Sequence, residues 1–509
     1  MSVASRHTRV KVEQEHFIPV SKCRLVETLL QEIDDVEQKG RFEAFCRLIE
    51  AIYHFDYHQM SQQLKQDFKF FDSVNGDGEI RRLTATEIEQ VEDRFLTNFT
   101  KLMEKANFRL LSQADIDVAN VEEYLFSLPV RVDWEKLDRE MLGRFLQKRA
   151  NLIDGTSAPR FADRILIFHR GVGVDTTSGL LILPKVDLLL TKLLEAMVKL
   201  FTRPAGGERA ADLEPAAQAD NLWDSDAGRA PGVSEERDTS VFDDRYIERI
   251  NLRNSGIGFR SLFQRTMLQE PTFKELVILF RFAPSTAVTA TEDNRKVFVK
   301  AFRDIPMADL EVVYPAKRIS MDLIDRIKLV IIGAAGVVIV LFKLVFAAAL
   351  NPFLLFAALL SVGGYGGKIF AGFKAAKDRY HHLVTQSLYH KNLDNDLGVI
   401  FYVVDALEEQ EFNEAVLAYF ILSHEGEMTE KRLDACCERY LKRHFDVEVN
   451  FEVNDALGKL VREKIVFQTG DQYRAASLEE ATRQLDCNWD SFFSYSGIGS
   501  AESTSTDED

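Results

Sequence analysis

The sequence predicts an α+β chain anchored in a membrane by a two-helix hairpin. Three observations lead there. Leu329 to Gly367, 39 residues (367 − 329 + 1), has Lys343 and Asn351 as its only strongly polar side chains. Apolar residues recur at three- and four-residue spacing through the first 150 residues, the period of an amphipathic helix. Between 160 and 320 the texture changes to short runs rich in β-branched and aromatic residues.

In order, Phe17-Ile18-Pro19-Val20 reads as an extended entry with Ser21 as an N-cap. Leu25, Leu29 and Leu30, then Phe42, Phe45, Leu48, Ile49 and Ile52, continue as helix to Phe68. A second amphipathic helix, Ala85 to Ala106, places Ile88, Val91, Phe95, Phe99 and Leu102 on one face. Short elements follow at 108–111, 118–126 and 129–132, and Asp133 is expected to cap a further helix, so that 16–150 forms a helical region. The α+β domain is expected over 160–320. In it, Arg164–His169 is a strand broken by Gly171 and Gly173, and 186–201 is a helix. Residues 203–240, rich in Ala, Gly, Pro, Asp and Glu, cannot bury enough apolar surface to offset their ordering entropy and are expected to be a disordered insertion. Strands resume at 246–252, 276–282, 296–302 and 311–314 in a mixed or antiparallel sheet.

The transmembrane hairpin is placed at 327–373, with the turn at Asn351-Pro352, where proline ends one helix and permits the next. Each arm, at about 1.5 Å per residue, is about 30 Å long and matches a bilayer core; the soluble alternative is a buried helical hairpin. Gly363, Gly367 and Ala371 make a small-xxx-small face, with Gly333 and Gly336 available to oppose it, which suggests packing within the hairpin or a homo-oligomer. Positive charge at both outer flanks (Lys317, Arg318, Arg326, Lys328; Lys368, Lys374, Lys377, Arg379) puts both termini on the cytoplasmic or matrix side of an inner membrane. After a helical connector over 374–410, three helices and a two-stranded hairpin over 411–487 follow the order of a winged helix, and an acidic tail fills 497–509.

The formal charge of −17 argues against a general nucleic-acid binder. The winged-helix-like unit carries 16 Asp and Glu against 10 Lys and Arg, which also favours a protein partner. Five scattered cysteines without CxxC suit a reducing compartment, and the polar opening residues Met1–His7 are not expected to act as a secretory leader.

Motifs for chemistry are weak. Ser73–Ile80 resembles an EF-hand interior, but loop positions 1 and 12 fall on Ser73 and Thr84. His54 and His58 share a helix face without a third metal ligand. Gly363–Lys368 lacks the Ser or Thr of a phosphate loop. Lys343 is expected to snorkel rather than serve an ion path. Asp304 and Asp309 flank Pro306 as a capped turn would. No catalytic set, metal or cofactor is expected. The residues themselves point to a membrane-anchored scaffold or regulatory interaction protein with a bilayer and a protein as partners; the alternatives are a transport component and a membrane-associated enzyme.

Several segments together resemble the transmembrane protein 143 family, which shares a domain of unknown function. They are Phe17–Val20, Arg164–Gly171, Leu268–Glu275 and, most specifically, Lys300–Glu311 with Lys300, Phe302, Asp304, Ile305, Pro306, Asp309 and Leu310, followed by Pro315. The resemblance runs over roughly residues 16 to 405. It implies an integral membrane protein with paired helices, associated in animals with mitochondria, and it supplies no catalytic residues.

Overall fold

The computed structural model describes residues 9–12, 14–71, 83–119, 130–149, 159–179, 245–248, 250, 265–283, 296–319 and 388–492, with single residues between 338 and 386.

The N-terminal part supplies three helices, α1 (Lys22–Gln31), α2 (Val36–Lys69) and α3 (Ala85–Lys105). Helix α3 starts at a capping box in which Thr84 and Glu87 satisfy each other's backbone amides. Its apolar stripe, Ile88, Val91, Phe95, Phe99 and Leu102, is buried.

The central sheet has the order β2 (Arg109–Leu110), β4 (Ile165–Gly179), β6 (Thr266–Arg281), β7 (Val297–Pro306) and β9 (Asn392–Asn395), with antiparallel neighbours throughout. Smaller two-stranded pairs join β1 (Arg9–Val12) to β5 (Arg245–Glu248) and β3 (Val130–Val132) to β8 (Lys317–Ile319). Two short helices, α4 (Gln113–Ala119) and α5 (Glu140–Lys148), lie between these strands in the chain.

Period-two alternation divides the sheet between two cores. Leu166, Phe168, Val277, Leu279, Val299 and Ala301 join the large core built by the long helices. Ile165, Ile167, Leu276, Ile278, Phe280, Phe302 and Ile305 join a second core with Leu111, Ile116 and the 3-10 helix Met307–Val313.

Beyond β9 the chain enters α6 (Leu397–Glu425), then β10 (Met428–Thr429), α7 (Glu430–Phe445), α8 (Val453–Arg462), the hairpin β11 (Val466–Thr469) and β12 (Gln472–Ala475), and α9 (Leu478–Phe492). Strand β12 pairs with both β11 and β10. The large core is continuous from Leu25 and Phe45 through α6 to Leu441, Leu460 and Leu485. Helix α6 is its spine: Val403, Leu407, Phe412, Val416 and Tyr419 are all buried.

The expected fold class needs correction. Among the described residues no helix is long and apolar enough to cross a membrane, so a transmembrane hairpin is not supported. Helices α2 and α6, at 34 and 29 residues, have the length but carry carboxylates along it. What the structure supports is helices packed with antiparallel sheets. Apart from Val338, the apolar stretch, including Gly333, Gly336, Asn351, Pro352, Gly363 and Gly367, lies outside the described residues, as do 203–240, the EF-hand-like loop and Lys343. Ala371 is helical and exposed.

Local expectations also change. Gly171 and Gly173 do not break β4, whose register against β6 runs unshifted from Ile165↔Phe280 to Gly179↔Thr266. Here glycine admits close neighbours: at Gly171, φ is +75° and the Phe17 ring lies 3.2 Å from where a Cβ would stand, while the Lys274 side chain crosses Gly173. Asp133 precedes a 3-10 turn over Trp134–Lys136 and makes no side-chain cap. The segment expected as a strand at 311–314 belongs largely to the 3-10 helix. The connector is interrupted by β9, and Phe412–Ser423 is the second half of α6 rather than a separate helix.

Candidate functional site

A row of polar side chains crosses the middle of α6 where an apolar row would be expected. Gln410, Glu411, Asn413 and Glu414 are all at most 4 % exposed. Burying such groups is costly unless each finds a partner, and the partners come from distant parts of the chain. The extended entry supplies backbone: Ile18 N donates to Gln410 Oε1 at 2.8 Å, and Asn413 Nδ2 donates to the Val20 carbonyl at 2.7 Å. Helix α2 supplies Tyr57, whose hydroxyl donates to Glu411 Oε1 at 2.8 Å. Helix α8 supplies Lys459, ion-paired with both Glu411 and Asp455. Gln410 also donates to Glu414.

The i, i+3 spacing of Glu411 and Glu414 puts both on one face of α6, toward α8 and α2. One oxygen each from Glu411, Glu414 and Asp455 falls within 4.8 Å of the others, which makes this the described cluster able to hold a cation. Burial pushes the Glu414 carboxyl well above its ordinary range, with Gln410 acting the other way. Burial likewise raises Asp455. At Lys459, burial, Lys105 and Arg462 push the ammonium down to about 7, against the pull of the carboxylates it touches. Tyr53, one turn before Tyr57, buries its hydroxyl without a hydrogen-bond partner.

A second knot lies one layer away. Arg170 of β4 is bound by Glu275 of β6 at 2.6 Å, donates to the Ala106 carbonyl at 3.2 Å, and sits over the rings of Phe17 and Phe108 at 4.9 and 4.7 Å. Tyr402 of α6 donates to the other Glu275 oxygen at 2.5 Å. Three of the segments read together in the sequence, those containing Phe17, Arg170 and Glu275, therefore converge in space.

The remaining motif residues serve the sheet. Lys300 and Phe302 lie in β7, with Lys300 opposite Ile278 and Asn395. Phe302, Ile305, Asp309 and Leu310 are buried, and Pro306 closes β7 against Thr272. Asp304 takes a left-handed backbone (φ 49°), pairs with Lys274 at 3.3 Å and accepts from Lys391 Nζ through its carbonyl. Pro315 is half-buried before β8. Asp304 and Asp309 differ sharply in burial and do not form a matched carboxylate pair. His54 and His58 have rings 5.9 Å apart, but His54 is turned to Glu408 at 2.9 Å and His58 to Gln62.

The sequence reading missed the α6 knot. The available signal is Gln410-Glu411 and Asn413-Glu414 set between strongly apolar runs, a polar interruption that resembles a helix boundary.

A family model described as a protein of unknown function (DUF3754) matches residues 273–398. That is 126 of 509 residues (398 − 273 + 1), from the middle of β6 to the first turn of α6, and it includes the Lys300–Glu311 motif. It does not carry the name of the transmembrane protein 143 family. No curated protein and no solved structure matches the chain.

Proposed function

We propose that the chain is a scaffold or regulatory interaction protein whose C-terminal module offers its outer surface to a protein partner. The observation that carries this is the fate of the cations on α8, the helix in the position that enters a DNA groove in a winged helix. Lys459 is spent on Glu411 and Asp455, and Arg462 is spent on Asp56 of α2 and on Glu463. A nucleic-acid surface needs cations available to phosphate, whereas here both are already paired with carboxylates of the fold, Lys459 in a buried position and Arg462 in a half-exposed one. The outward side chains favour protein instead. Val461 and Phe467 are 36 % and 40 % exposed, and the Phe467 ring lies 5.8 Å from the Arg474 guanidinium. Aromatic and arginine side chains are the types over-represented where proteins bind each other.

Kinship with the transmembrane protein 143 family is part of the same proposal. Its support is the convergence of the Phe17, Arg170 and Glu275 segments and the family match across Lys300–Glu311.

Fluorescence anisotropy with labelled duplex DNA and single-stranded RNA tests the first point. At about 50 mM salt the full chain is expected to bind neither below about 10 µM, a range in which basic-surfaced proteins bind non-specifically. Binding that weakens steeply as salt is raised would overturn the assignment.

A further inference from the structure

Helix α7 presents a basic outer face in a chain of formal charge −17. At about 100° per residue, Lys431, Arg432, Arg439, Lys442 and Arg443 fall within an arc of about 120°, with Ala435 among them. All six residues are exposed. The buried face, Leu433, Cys437, Tyr440 and Leu441, lies opposite, and Glu430, Asp434 and Glu438 occupy the flank between. That flank is turned to α8: Glu438 accepts from the Phe451 amide at 3.3 Å. Lys442 pairs with Glu448 at 2.6 Å, and the other four cations make no ion pair among the described residues. Helix stability does not account for them. Lys442 and Arg443 suit the C-terminal end of the helix dipole, but Lys431 and Arg432 stand in the first turn, where a cation opposes it.

The shape of this face selects its occupant. It runs about 18 Å from Lys431 to Arg443 and is about 10 Å wide, the footprint of about five or six residues of extended chain. A duplex would overlap the acidic flank, and the arc offers no aromatic side chain on which single-stranded bases could stack. It also has no bulky apolar side chain to enter a bilayer. The chain itself supplies a matching segment. Residues 493–509 contain Glu502, Asp507, Glu508 and Asp509 and no Lys or Arg. They follow α9, whose Asn488 donates to the Glu463 carbonyl at 3.1 Å and to its carboxylate at 2.9 Å, at the end of α8. Helix α8 is about 15 Å long, and its other end meets α7 through Phe451 and Glu438. Ten residues (502 − 492) separate Phe492 from Glu502, an extended reach of about 33–36 Å, which is enough to pass α8 and arrive at α7.

We propose that the acidic segment 502–509 docks along the basic face of α7 in the same molecule and shields it from other acidic ligands. Each exposed ion pair contributes little, so the contact depends on several pairs together and on the high effective concentration of a tethered segment.

Carbodiimide coupling of the purified full-length chain at about 20 mM salt, read by peptide mass spectrometry, tests it. Amides between the 502–509 carboxylates and Lys431 or Lys442 are expected in the monomer band. Their yield should fall at least about fivefold at about 0.5 M salt, and equally in R432Q/R439Q/R443Q, which keeps both lysines. Coupling of the segment to lysines spread evenly over the surface would overturn the proposal, as would a triple variant that couples like the wild type. Coupling confined to a cross-linked dimer would overturn it too, by assigning the face to a second copy's segment. A second measurement needs no change in α7. Fluorescein-labelled octaglutamate should bind E502Q/D507N/E508Q/D509N at least about threefold more tightly than the wild type, because the competing segment has lost its charge. Equal affinity for the two proteins would overturn the shielding, and tighter binding of duplex DNA than of octaglutamate to the variant would overturn the choice of occupant.

Discussion

Replacing Arg281 with Met tests whether buried charge ties hold the helical layer to the sheet. Arg281 ends β6, and its side chain is 9 % exposed. It donates to Glu92 of α3 at 2.6 Å and to Asp138, at the start of α5, at 2.8 and 2.5 Å. Met keeps much of the aliphatic bulk and removes the charge, leaving two buried carboxylates. Removing one member of a buried pair costs about 3–5 kcal/mol. The lower end applies here, because both acids keep other partners. Glu92 retains Arg144 at 2.9 Å, and Asp138 still accepts from the amides of Glu140 and Met141 at 3.2 and 3.3 Å. The expected loss is about 3 kcal/mol, or about 6 °C at roughly 2 °C per kcal/mol for a large chain. Differential scanning calorimetry at pH 7 measures it. Arg281→Met combined with Glu92→Gln and Asp138→Asn removes the stranded charges and should recover all but about 1 kcal/mol. A single variant within about 0.5 kcal/mol of wild type, or a triple variant no better than the single, would refute the reasoning.

Other outcomes follow from the same geometry. Gly171→Ala forces a side chain into a left-handed backbone against Phe17 and Lys274, and should cost about 1–2 kcal/mol in urea titration. Burial, followed by Glu438 and Glu430, raises Asp434 to about 6, and one of its oxygens has no hydrogen-bond partner. Because the folded state holds this proton more tightly than the unfolded chain (about 3.9), stability falls as pH rises from about 4 to 6 and the penalty stays above that. Asp434→Asn should flatten that part of the pH profile and stabilise the protein at pH 7 by about 1 kcal/mol once solvent screening is allowed for. Cys23 and Cys487 are exposed, whereas burial pushes the Cys46 thiol up to about 12 and the Cys437 thiol well up. Iodoacetamide at pH 7.5 should therefore label Cys23 and Cys487 and spare Cys46 and Cys437, as peptide mass spectrometry would show.

The elements legible in the sequence were those stabilised by their own pattern. Helix α3 has its stripe and its Thr84–Glu87 box within one segment, and β6 and β7 announce themselves by apolar density. The elements that were misread depend on partners far along the chain. Asn392-Leu393-Asp394-Asn395 shows almost no apolar alternation, yet it forms β9, because an edge strand needs only its backbone beside β7. The run from Glu408 to Glu414 suggested the end of a helix. It is instead the middle of α6, since Ile18, Val20, Tyr57 and Lys459 satisfy those side chains from outside the window that periodicity sees. Gly171 and Gly173 read as strand breakers because their neighbours, Phe17 and Lys274, lie about 100 residues or more away in sequence. The α6 knot was hidden for the same reason: its donors and acceptors come from three separate helices and an extended segment.

The most direct test of the interaction role compares what co-purifies with the full-length wild type and with Val461→Asp/Phe467→Asp, both quantified by mass spectrometry. These two side chains are exposed, so the variant should keep its thermal midpoint within about 1 °C. If the outer face of the C-terminal module is the docking surface, a defined set of proteins should fall at least about tenfold in the variant while the rest of the sample is unchanged. An identical set of proteins from both, with the variant folded, would contradict the account.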